Sequence, residues 1–472
     1  MSVTDLAGAS APSAGASRTN PLYFAVWRWH FYAGLYVVPF LIMLALTGFA
    51  MMWFTAIAPE YGDRLAVQAA AQALSLADQE QSAVASVPGA TGISGYTAPY
   101  DAMTPALFSV LDADGGVQVV ALDPYRGLAL RVTPEGGTWH AFAEKIHGTM
   151  MIGKAGDRLI EIAASLGLLM VVTGVYLWWP RNGVRLRDLL APRLSARGRV
   201  FWKSVHSVTG AWTAVLLVFF FLTGLAWAGV WGEKFVQAWS TFPAAKWDDV
   251  PLSDATHASM NHSGKDVPWA LEQTPLPESG SEAGVAGLPE GAAVTLDSVA
   301  ALARQIGFDG RFRLTPPAQD TGVWTVSQDS MSYDSADPTA DRTVHIDRYS
   351  GRLLADVRFA DYSLPGKAMA VGIALHEGQT GLWNVVMNGF FCLAVLFLCL
   401  SGMVMWWRRR PADGLRLAAP PVPVAPPLLR GVVLTALLMS MAFPMLGLTL
   451  LAVLALDLVV ARLLPGVKAA VS

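Results

Sequence analysis

Two apolar runs carry the same residues at the same spacing, and that repetition limits what the chain can fold into. In the run 202–231, His206 is followed four residues on by Gly210 and seventeen on by Thr223-Gly224. Earlier, His30 is followed four on by Gly34 and seventeen on by Thr47-Gly48. Each run is long enough to cross a hydrocarbon core of roughly 30 Å as a helix. Two further runs also match. Ile146-His147-Gly148 precedes one with Thr173-Gly174 and Trp178-Trp179, and Leu375-His376-Glu377 precedes one with Ser401-Gly402 and Trp406-Trp407. Between the runs, Asp123-Pro124-Tyr125-Arg126-Gly127 is echoed by Asp347-Arg348-Tyr349-Ser350-Gly351. The unit is helix, soluble lobe, surface histidine, helix, used twice.

Only 15% of the 472 residues are charged and 53% are hydrophobic, where a soluble chain would be nearer about a quarter charged. The apolar residues fall in discrete runs, so the chain reads as an integral membrane protein with sizeable soluble parts. It is mainly α, with membrane helices at 30–56, 158–180, 204–231 and 381–407. The tail 1–29 lacks a signal-peptide pattern, so the first run is expected to stay in the membrane. Segment 428–464 would be about 55 Å long as one helix. Phe443-Pro444 near its middle suggests a hairpin of two short helices, with one kinked helix as the alternative. The loop 181–203 carries Arg181, Arg185, Arg187, Arg193, Arg197, Arg199 and Lys203 against Asp188, and a Pro-rich linker, 408–427, opens on three arginines. Regions 57–157 and 232–380 lie on the other side, and 233–378 holds twenty acids against eleven Lys or Arg. The positive-inside rule places the basic side in the cytoplasm and both lobes in the periplasm. A net charge of −3 gives no reason to expect nucleic acid as a partner. Cys392 and Cys399 share a helix face and cannot bridge.

Within the first lobe, 107–111 and 117–122 read as a hairpin around the turn 112–116, and 138–152 as a surface helix. In the second, 296–306 reads as a helix and 324–327, 342–347 and 352–359 as strands.

Topology sorts the histidines. His30 and His206 begin outward-going helices and belong to the cytoplasmic face, while His147 and His376 belong to the periplasmic face. Imidazole pairs between facing helices suit axial ligation of haem iron, so His30 is expected to pair with His206 and His147 with His376, on two b-type haems. The glycines would let a porphyrin approach or let helices pack closely. The plainer alternative is four interfacial histidines bonded to water or backbone. His140, seven residues before His147, is a reserve ligand. His257, Met260 and His262 could bind a soft metal or sit in an ordinary loop. His345 reads as structural. Glu161 and Asp457 lie near helix ends, which offers little to an ion-coupled transporter.

These repeated motifs resemble the PepSY-associated transmembrane helix family over nearly the whole chain. The resemblance implies PepSY-like α+β lobes, haem ligands at His30, His206, His147 and His376, and a bacterial inner membrane location. It also implies a ferrisiderophore reductase-like activity: electrons cross the membrane to a periplasmic ferric siderophore or other metal complex and release Fe(II). No nucleotide or flavin fingerprint is present, so the donor is expected to be another molecule, a quinol or a cytoplasmic flavin reductase. The rival expectation is a non-enzymatic membrane-anchored PepSY module that binds or restrains a periplasmic partner.

Overall fold

The computed structural model describes residues 21–180, 186–261, 267–410, 419–421 and 430–463. The first part of the tail, the start of the basic loop, His262 and most of the Pro-rich linker lie outside them. The first half runs α1 (Pro21–Met52), α2 (Leu76–Ala85), β1 (Gly92–Thr97), β2 (Ala106–Leu111), β3 (Val117–Asp123), β4 (Leu128–Pro134), α3 (Trp139–Thr149) and α4 (Lys154–Trp178). A short helix, α5 (Leu186–Leu190), leads to α6 (Gly198–Leu225). A segment without counterpart in the first half follows, holding α7 (Gln237–Ser240), β5 (Leu252–Thr256) and β6 (Pro275–Pro277). Then come α8 (Leu296–Gln305), β7 (Arg313–Thr315), β8 (Val323–Gln328), β9 (Arg342–Asp347), β10 (Leu353–Arg358), α9 (Leu364–Glu377) and α10 (Leu382–Trp407). Two helices, α11 (Arg430–Ala442) and α12 (Pro444–Leu463), follow.

The helix α1, continued to Ile57, and the helices α4, α6 and α10 are long and apolar enough to cross a membrane. α1 packs on α4, α4 on α6, α6 on α10 and α10 on α1. This ring leaves α1 diagonal to α6. Connectivity makes α1 and α6 run toward the lobe and α4 and α10 away from it. α1 and α6 begin upstream of the expected boundaries, so His30 and His206 lie within helices. The chain turns sharply between α11 and α12 at Phe443-Pro444, bringing Gly447 so close to Ser440 that a Cβ on the glycine would lie 3.0 Å from that of the serine. Trp231 Nε1 holds the turn by donating to Ala442 O at 2.9 Å.

Above the bundle the two expected lobes share one antiparallel sheet of eight strands, ordered β10-β9-β8-β7-β1-β2-β3-β4. The join is β1 on β7, with Tyr96 opposite Leu314. Pairing these strands satisfies two edges that would otherwise expose unpaired backbone groups. One row of buried side chains crosses six strands: Val120, Phe108, Tyr96, Leu314, Val326 and Val344, each opposite the next. Helices α2 and α8 cover this face with Ala83, Val299, Leu302 and Ala303. Their starts are tied together, since Asp297 accepts from Leu76 N at 2.7 Å and Ala77 N at 3.1 Å. Alternation puts Thr325, Ser327, Thr343 and His345 on the opposite face.

The two D-x-Y-x-G turns have the same geometry. Asp123 Oδ1 accepts from Tyr125 N at 2.9 Å and Arg126 N at 3.2 Å, and Asp347 Oδ1 from Tyr349 N at 2.8 Å and Ser350 N at 2.7 Å. Gly127 and Gly351 close them at φ +65° and +68°, a region where a Cβ is strained.

Candidate functional site

Each of the four repeat histidines meets the hydroxyl of a Thr-Gly or Ser-Gly pair on the other helix of its own half. His30 Nδ1 lies 3.0 Å from Thr173 Oγ1, and His147 Nδ1 lies 2.8 Å from Thr47 Oγ1. In the second half, His206 Nδ1 lies 2.8 Å from Ser401 Oγ, and His376 Nδ1 lies 2.7 Å from Thr223 Oγ1. Every one of these hydroxyls already donates its proton to its own helix: Thr173 to Leu169 O at 2.8 Å, Thr47 to Met43 O at 2.8 Å, Thr223 to Phe219 O at 2.8 Å, and Ser401 to Leu398 O at 3.0 Å. The hydroxyl must therefore accept, and the imidazole must donate from Nδ1. In a neutral ring this assignment leaves the lone pair on Nε2. Among the described residues no group hydrogen-bonds that Nε2.

The glycine after each hydroxyl lies under the ring. A Cβ at Gly174 would stand 3.2 Å from Cε1 of His30, at Gly224 3.4 Å from His376, at Gly48 3.5 Å from His147, and at Gly402 3.7 Å from His206. The Thr-Gly pair is thus an imidazole seat. The sequence shows the pairs but not what they hold. Gly34 and Gly210 instead face Met170 and Leu398 side chains at 3.5 and 3.7 Å.

Local structure explains how His147 and His376 reach their seats. Thr138 caps α3 by accepting from Ala141 N at 3.0 Å, and Met150 ends it in the left-handed region. His147 sits on that helix's last turn. Ser363 caps α9 through Gly366 N at 3.2 Å, and Gly378 ends it at φ +83°. Asn388 on α10 donates to His376 O at 2.9 Å and Leu375 O at 2.8 Å, fixing the end that carries the ligand candidate. The Phe220 ring lies 4.7 Å from that of His376. His140 has no such seat; its backbone N–H donates to Glu60 Oε2 at 2.8 Å.

The histidines gather at the two ends of the bundle. His30 is within electrostatic reach of His206, and His376 of His147. All four residues are half-buried. At the end holding His30, the Arg409 guanidinium lies over the rings of Phe31 and Trp27, 4.9 and 5.3 Å from their centres. Its Nε and Nη2 are buried without a hydrogen-bond partner among the described residues.

The lobe holds a second pair. His257 and His345 are both fully buried, with their Nε2 atoms 2.9 Å apart. His257 Nδ1 lies 2.7 Å from Thr274 O, and His345 Nδ1 lies 3.0 Å from Thr325 Oγ1. A carbonyl only accepts, so His257 donates from Nδ1. His345 then donates from Nε2 to His257 and accepts at Nδ1 from Thr325. Burial pushes His257 down to about 4, and burial with the charge of His257 lowers His345, which keeps the pair neutral. His345 thus pairs with His257, a contact no local pattern announces.

The chain matches the family described as the PepSY-associated TM region over residues 27–409, a span that includes all four seated histidines. No curated protein matches it.

Proposed function

The chain belongs to the PepSY-associated TM family, and from that premise we propose that it is a di-haem b electron-transfer protein of the bacterial inner membrane. Its acceptor is ferric iron in a periplasmic siderophore, reduced to Fe(II) one electron at a time. Its donor is a quinol or a cytoplasmic flavin reductase. The basic end of the bundle faces the cytoplasm and the sheet faces the periplasm.

The observation that carries this reading is the seating of four imidazoles. Each Nδ1–H is committed to a hydroxyl that can only accept, so each Nε2 presents a lone pair in a neutral ring. That is the state an axial iron ligand requires, with the outer hydrogen bond that orients such ligands. The residues also fit the rest of the group. The two imidazoles at each end come from opposite halves, His30 with His206 and His147 with His376. The Arg409 guanidinium, two of whose nitrogens lack a partner among the described residues, lies over Trp27 and Phe31 on either side of His30 in the sequence, and a propionate-bearing cofactor needs a cation.

When bound, haem supplies a one-electron iron couple at each face. The chain's own residues do the rest. Thr173, Ser401, Thr47 and Thr223 hold the tautomers. Gly174, Gly402, Gly48 and Gly224 keep space beside the rings, and Asn388 fixes the end of α9. Reduction of the ferric acceptor weakens its hold by hard oxygen donors and releases the metal.

Purified chain from haem-sufficient cells is expected to be red, with two reducible b-type components. His30→Ala and His206→Ala should perturb one component, and His147→Ala and His376→Ala the other. Absorbance redox titration of the four variants reads this out. A colourless wild type would overturn the reading and favour a membrane-anchored binding module.

A further inference from the structure

One member of the buried pair in the lobe, His257, lines a pocket together with Met260, Arg313, Thr325 and Thr343, and His345 stands behind it. Three features set it apart from a purely structural pair. The two Nε2 atoms face each other directly at 2.9 Å. Met260 lines the pocket together with His257. The hydroxyl of Thr343, itself 1% exposed, has no hydrogen-bond partner among the described residues and lines the same space.

We propose that His257, His345 and Met260 form a binding site for a soft monovalent metal ion, Cu(I). The ion takes the place of the proton shared between the rings. His257 is already in the required tautomer, because Thr274 O fixes its proton on Nδ1. His345 moves its proton from Nε2 to Nδ1, and the Thr325 hydroxyl turns from donor to acceptor. No proton is gained or lost, and the site gains one positive charge. Bonds of about 2.0 Å in a three- or four-coordinate ion hold two nitrogens roughly 3.4 Å apart. The rings must part by only about half an ångström from their present contact. Both then keep an outer hydrogen bond of the kind that orients ligating histidines.

The donor set selects the metal. Among the described residues no three His, Cys, Asp or Glu side chains converge on one point, so a hard divalent ion finds no carboxylate here. Two imidazoles and a thioether match Cu(I). The site is absent from the first half: the D-x-Y-x-G turns align His345 with Ala121, and His257 lies in the segment that half lacks.

The test uses the full chain in detergent, as isolated, with Cu(I) under anaerobic reducing conditions against a chromophoric chelator. Wild type should withdraw one more equivalent than His257→Ala or His345→Ala, and Met260→Leu should weaken that equivalent by about tenfold or more. X-ray absorption of the copper-loaded wild type should show two nitrogens and one sulfur around the ion, with the sulfur lost in Met260→Leu. Equal uptake by wild type and folded histidine variants would overturn the proposal. So would a wild-type copper spectrum without sulfur, which decides the matter even where the variants fail to fold. Neither readout depends on haem content, so the outcome is independent of the proposed electron transfer.

Discussion

In the membrane bundle a histidine donates from Nδ1 to a hydroxyl, whereas in the lobe His345 accepts at Nδ1 from one. The residue types and distances are nearly the same, 2.7–3.0 Å in the bundle and 3.0 Å in the lobe. What differs is the rest of the network. The bundle hydroxyls have already given their protons to their own helices, while the Thr325 hydroxyl, on a strand, has no such carbonyl to serve. In the bundle this leaves Nε2 as an acceptor with no hydrogen-bond partner among the described residues. In the lobe Nε2 of one ring is tied to Nε2 of the other. A His–Thr contact therefore says little until the hydroxyl's own proton is traced.

The largest expected effect separates the two regions by space. Leu at Gly174 or Gly224 would occupy the volume of the ring, so the haem proposed at that face should be lost and the reduced b-type absorbance per chain roughly halved. The alanine series sharpens this. Clearances of 3.2 Å at Gly174 and 3.4 Å at Gly224 against 3.5 and 3.7 Å at Gly48 and Gly402 make Gly174→Ala the damaging variant, Gly224→Ala marginal, and Gly48→Ala and Gly402→Ala near wild type. A flat series would mean that the glycines serve general packing.

A smaller effect should follow from removing the hydroxyls. Thr173→Val, Thr47→Val, Thr223→Val or Ser401→Ala takes away one hydrogen bond worth about 1 kcal/mol. The proposed haem should be retained with its midpoint potential moved by tens of millivolts, by roughly 40 mV for each 1 kcal/mol at one electron. Redox titration checks this, with Thr325→Val as the contrasting variant that leaves both potentials in place. If Thr325→Val moves them equally, the distinction between the regions fails.

The smallest effect is on lobe stability with pH. His257 and His345 are held below their ordinary values. As pH falls from about 6.5 toward 4, the unfolded chain takes up protons that the folded pair refuses. Stability should then fall by about 1.4 kcal/mol per pH unit for each histidine. Burial pushes Asp341 the other way, up to about 7, and also raises Asp329, so these acids favour the folded state as pH falls. The diagnostic is therefore a difference: melting by circular dichroism should drop more steeply for wild type than for a His257→Gln, His345→Gln double variant. Parallel curves would show that the pair is not held neutral.

Local features were legible in the residues themselves. Apolar runs located the four membrane-length helices, although the charged turns around Arg28 and Arg199 extend two of them beyond the expected starts. The Asp112–Gly116 turn marked the hairpin of β2 and β3, and the D-x-Y-x-G pairs marked two turns of equal geometry. The four histidines stood out because their spacing repeats. Spacing alone determines such features, because a helix, a tight turn or a repeat is set by sterics and hydrogen bonds within a few residues. Tertiary structure alone decided that Thr173 serves His30 across 143 residues and that His257 meets His345 across 88. It also joined β1 to β7, so that two lobes became one sheet. These pairings depend on which surfaces dock, and docking is settled by the burial and hydrogen bonding of many distant residues at once.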